Sequence, residues 1–128
     1  MKPFFTKKID LNFEEAVEHV TGILKSHGFG IITEIDVKET LKKKIDVDFR
    51  PYKILGACNP SFAHKALQAE DKAGIMMPCN VIVQQHPDGT TEVSVINPEA
   101  AASGLNNEAL NDFACEVTEQ LRKVFKKI

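Results

Sequence analysis

Two short phrases hold most of the chemistry this 128-residue sequence offers. One is Gly56-Ala57-Cys58-Asn59-Pro60 and the other is Met77-Pro78-Cys79-Asn80. In each, a cysteine precedes an asparagine, close to a proline, in or at the end of an expected strand. If those strands are neighbours, the thiols face one another and three kinds of chemistry open. Cα atoms within about 6 Å would allow a reversible disulfide. Two thiolates with His64 as a third ligand would hold a soft metal such as zinc. Cys58 alone, just ahead of a helix N-terminus that favours a thiolate, would act as a nucleophile. Against all three stands the plain alternative that both cysteines are small buried hydrophobes, as free cysteines commonly are. Asn59 and Asn80, adjoining the thiols, complete the candidate ligand-binding positions there.

A second, weaker pairing is Glu34 with Arg50, a carboxylate base and a guanidinium anion clamp if they line one cleft. Unrelated surface charges explain them better. Cys115 lies away from the apolar stripe of its segment and reads as exposed and incidental. His19 falls off an apolar stripe, His27 sits near a helix C-terminus and His86 belongs to a turn, so none gains a partner from the sequence. The run Lys42 to Lys44 reads as the wet side of a helix. Phosphate-binding glycine loops, HExxH, CxxC, GxSxG and calcium loops are all absent, which removes most enzyme classes a sequence can announce.

The elements that would position these residues alternate. A strand over Phe4 to Ile9 is followed by a helix capped by Asn12, with Phe13, Val17, Val20 and Leu24 at helical spacing and Gly28 at its end. A β-branched strand, Gly30 to Ile35, leads into a short helix capped by Asp36, with Val37, Leu41 and Ile45 facing inward. Tyr52 to Cys58 is a third strand. Asn59-Pro60 opens a helix that buries Phe62, Ala66, Leu67 and Ala69 and ends before Gly74. The longest strand runs from Ile75 to Gln85, with Ile75, Met77, Cys79, Val81 and Val83 on the core side and Pro78 interrupting its ladder. His86 to Gly89 turns the chain into an antiparallel strand over Thr90 to Ile96, which Asn97-Pro98 stops. A small-residue loop, Glu99 to Gly104, leads to a helix from about Asn107 to Lys126 with a stripe of Leu110, Phe113, Val117, Leu121, Val124 and Ile128. The hairpin does not fit an all-parallel sheet. An α+β domain follows: a mainly antiparallel sheet of about five strands with the first and last helices on one face, or else a ferredoxin-like core.

Composition adds bounds. With 43% hydrophobic and 27% charged residues the chain is ordinary globular material for a single domain. A net charge of −2, without a basic band, points to neither nucleic acid nor membrane as partner. Three cysteines make no disulfide framework, and the N-terminus has no long apolar run, so the sequence reads as cytoplasmic. An open sheet edge would permit a homodimer.

From Gly28 to Val83 the sequence resembles the family called domain of unknown function 302, and the flanking helix, hairpin and final helix fit as well. Tyr52, Gly56, Cys58, Asn59, Pro60, Pro78, Cys79 and Asn80 match its pattern. At Asn97-Pro98 the family more often looks like Asp-Pro. The resemblance implies a TBP-like, helix-grip arrangement with a curved antiparallel sheet around helices, and it favours that over the ferredoxin-like alternative. It implies no activity. The leading functional expectation is a non-enzymatic domain that takes a small molecule or metal in a sheet–helix cleft near Cys58 and Cys79. A thiol-dependent redox protein or enzyme using Cys58 comes second, and an interaction module with both cysteines as packing third.

Overall fold

The computed structural model describes residues 1–128. Its elements are β1 (Phe4–Ile9), α1 (Phe13–Ser26), β2 (Gly30–Asp36), α2 (Val37–Ile45), β3 (Tyr52–Cys58), α3 (Pro60–Ala69), β4 (Cys79–Gln85), β5 (Thr91–Ile96), α4 (Pro98–Ala102) and α5 (Glu108–Lys127). Short 3₁₀ turns occupy Ala73–Met76 and Ser103–Leu105. Helix starts follow from side chains that satisfy free amides: Asn12 Oδ1 accepts from Glu15 N at 2.9 Å, Asp36 from Glu39 N at 3.0 Å, and Asn107 from Leu110 N at 3.0 Å.

The five strands form one sheet in the order β1-β5-β4-β3-β2, and every neighbouring pair is antiparallel. A split β-α-β core would bring parallel strands together, so the ferredoxin-like alternative falls. Both α1 and α5 cover the same face. Phe13, Ala16, Val20 and Leu24 of α1 and Val117, Leu121 and Val124 of α5 close over Leu55, Ala57, Val81, Val83, Val93 and Val95. The register explains that face. Leu55 opposes Val81, which opposes Val95, so one parity in each central strand carries the apolar load. The other parity builds the outer face, with rows such as Tyr52–Gln84–Glu92–Lys8 and Ile35–Ile54–Ile82–Ser94–Thr6.

Four expectations need correction. β4 begins at Cys79, because Pro78 has no amide for the ladder and the preceding residues turn into 3₁₀ helix; Ile75, expected in the core, is 77% exposed. The stretch after Asn97 is helix rather than loop, because Asn97 caps α4 and Pro98 fills its first position. No residue of α2 is buried and Ile45 is 63% exposed, since α2 flanks β2 and β3 beside the sheet. Leu67 is also exposed, leaving Phe62 and Ala66 as the packed side of α3.

Two local arrangements hold the ends of β3, β4 and β5. A Cβ on Gly56 would overlap Thr33 Oγ1 and lie 2.7 Å from Pro78 Cγ, so glycine there lets two side chains meet over the outer face of β3. Asn97 uses its whole amide: Nδ2 donates to Lys2 O at 2.9 Å, and Oδ1 accepts from Glu99 N at 3.2 Å and from Thr118 Oγ1 at 3.2 Å. An aspartate at that position would offer no donor to Lys2, so the asparagine ties the N-terminal strand, the start of α4 and the middle of α5 at one buried point.

Candidate functional site

At one end of the sheet, where β3 stops and β4 starts, the helices do not close completely. α3, α4 and the first half of α5 lean over the gap and enclose a hollow of about 80 Å³. One ordered water needs about 10–15 Å³ of such space, so this is a genuine cavity. Seventeen of its twenty lining residues are hydrophobic, and none is charged or a histidine. Its size has a local cause: alanines at 63 and 66 on α3, at 101 and 102 on α4 and at 114 on α5 keep the three helices from filling the space between them. Phe29, Phe62 and Phe113 supply aromatic wall.

Both Cys58 and Cys79 line this hollow. Ala57 opposes Cys79 across the β3–β4 ladder, so Cys58 stands one residue further along the adjoining strand. Strand alternation gives Cys58 the opposite parity from Cys79, so the two do not face each other across the ladder; both reach the hollow because β3 ends and β4 begins beside it. Both thiols are free and half-buried. Burial pushes the Cys79 thiol up to about 11, and the nearby Cys58 adds to the rise because a second negative charge there would repel its thiolate. Cys79 is thus a neutral thiol at physiological pH. Asn59 also lines the cavity, but its Oδ1 is engaged by Phe62 N at 3.3 Å as the cap of α3.

A family model described as "Domain of unknown function DUF302" matches residues 5–128. The chain belongs to the DUF302 family. It is similar to the solved structure of an uncharacterized conserved DUF302 protein from Bacillus stearothermophilus, with 29% sequence identity and a TM-score of 0.89 over 97% of this chain and 96% of that one. Comparison with curated proteins gives no match. The resemblance read from the sequence is therefore correct, as is the antiparallel α+β fold it implied. No helix of this DUF302 chain is long and apolar enough to cross a membrane.

Other candidate residues of the DUF302 chain fall elsewhere. His64 is exposed on α3 and does not line the cavity, and no three His, Cys, Asp or Glu side chains gather anywhere as a metal site. The zinc set Cys58–Cys79–His64 is overturned, because the turn of α3 that puts Phe62 and Ala66 inward carries His64 to solvent. Asn80 is exposed on the outer face, since strand alternation sends it opposite to Cys79. Glu34 and Arg50 are not partners. Glu34 meets Lys53 Nζ at 2.9 Å on the helix-covered side of β2 and β3, and this bond raises the lysine's pKa. Arg50 lies on the outer side, where its Nε donates to Gln84 Oε1 at 2.9 Å and its guanidinium rests 4.5 Å from the centre of the Phe49 ring. No cleft joins them. Cys115 is exposed on α5, as its position off the stripe implied.

Sequence reasoning missed most of the wall. Met76, Met77, Ala101 and Phe113 come together only through the packing of α4 and α5 against the 3₁₀ turn. The one available signal was the alanine-rich run from Ala100 to Ala102, which reads as a loop until Asn97 is seen to cap it.

Proposed function

We propose that this DUF302 chain is a binding domain for a small apolar ligand held between the sheet end and α3, α4 and α5. The observation that carries the reading is the composition of the hollow: hydrophobic walls, no charge, and Asn59 as the one polar side chain besides the two thiols. Natural small-molecule sites combine apolar lining with sparse polar groups in this way. The thiol-enzyme alternative finds less support. No histidine, lysine or arginine lines the cavity to activate either sulfur, and Cys79 holds its proton.

The test is a titration with small uncharged aromatics, followed by methyl NMR and thermal unfolding. At a hundred times the dissociation constant, binding raises stability by about 2.7 kcal/mol. Ala66→Leu places an isobutyl group in the hollow, and should abolish both the methyl shifts and the stabilisation while the protein stays folded. Unchanged binding in that variant would remove this reading.

A further inference from the structure

The cavity wall is unusual in its sulfur. Cys58, Cys79, Met76 and Met77 all contribute to it, and no charged or histidine side chain does. We propose that this sulfur-lined side is a binding site for copper(I), held by the thiolates of Cys58 and Cys79 with a methionine thioether as the third donor. The inference goes beyond the apolar-ligand reading and does not depend on it.

Donor type and donor number both select this ion. Zinc sites draw three or four ligands from cysteine, histidine and carboxylate, and here no group of three exists. Copper(II) favours nitrogen and oxygen in a tetragonal arrangement, which this wall lacks. Thiolate and thioether are the soft donors that select copper(I), which is satisfied by two or three of them. Both thiols line the same hollow: Cys79 from the start of β4, on the face it shares with Ala57, and Cys58 from the last residue of β3, where the strand gives way to the cap of α3.

Charge supports it too. Binding follows Cu⁺ + 2 R–SH → [Cu(SR)₂]⁻ + 2 H⁺, with no change of oxidation state. The single negative charge left on the complex lies beside the start of α3, where Asn59 is the cap and Pro60 the first helical residue. A ten-residue helix presents positive potential at that end. Because binding releases two protons, copper binding should weaken as the pH falls.

The experiment is an anaerobic titration of the reduced full chain with copper(I) in competition with bicinchoninate. The expected result is one equivalent bound. Cys58→Ser and Cys79→Ser should each weaken binding by more than about a hundredfold, and a double Met76→Leu, Met77→Leu variant by about tenfold. Cys115→Ser should bind like the parent. Circular dichroism monitors folding, and Cys58→Ala and Cys79→Ala replace any serine variant that fails to fold. Copper affinity that survives loss of Cys58 or Cys79, or that disappears with Cys115, overturns the site. Displacement of copper(I) by equimolar zinc(II) overturns it as well. Ala66→Leu separates the two proposals, since it should lose the aromatic probes and keep copper.

Discussion

Cys79 shows how much a single position can owe to its surroundings. An unfolded cysteine titrates near pH 8.5, whereas this one is pushed up to about 11. Over that interval the native state holds a proton that the unfolded chain releases. The stability due to the neutral thiol is therefore complete below about pH 8.5 and is lost as pH rises toward the folded value. The loss should reach about 2 kcal/mol after allowing for the partial exposure of the residue, and urea unfolding compared with Cys79→Ala across alkaline pH measures it. A parallel decline in both proteins would show that the thiol is not the cause. The sequence suggested that Cys58 and Cys79 belong together, because in both phrases a cysteine in or at the end of a strand precedes an asparagine close to a proline. It gave no means of excluding His64, since whether a helix residue five positions beyond the cap points in or out depends on which side Phe62 and Ala66 bury. Glu34 and Arg50 failed for a related reason: they occupy opposite faces of the sheet, and only the strand register separates them.

At the scale of elements, Gly56 links β3 to the start of β4. Thr33 and Pro78 meet in the space a side chain would fill, and the residue after Pro78 is the cavity thiol. Gly56→Ala should push both neighbours away and cost about 1–3 kcal/mol, as overpacking at a closed site does. It should also move the Cys79 resonances, while Gly74→Ala, which has open space around it, should do neither. Equal unfolding midpoints for the two variants would refute this. The strands and the two long helices were legible from periodicity because each buries one stripe against the sheet. α2 was misread for an equally physical reason: Val37, Leu41 and Ile45 make a stripe, but the helix lies beside β2 and β3, where little apolar surface is left to meet it. α4 was missed because five residues are too few to show a period.

The whole molecule is organised around three inner strands. Leu55, Val81, Val83, Val93 and Val95 are fully enclosed, whereas β1 and β2 are edges, and β2 carries a register irregularity between Ile31 and Thr33. Amides of β3, β4 and β5 that bond within the ladder should exchange with solvent only on global unfolding, and those of β2 through smaller openings. Hydrogen exchange measured by NMR decides this, and equal protection in β2 and β4 would contradict it. The position of β1 has a consequence for how the chain is made. This strand leaves the ribosome before the other elements of the domain, yet its only partner, β5, is separated from it by more than eighty residues. Until synthesis passes Ile96, Phe5 and Ile9 have no strand to lie against. The nascent chain therefore travels with an unpaired β-edge through most of its production, and closing that long loop is a late and entropically costly event that should make folding slow for a protein of this size.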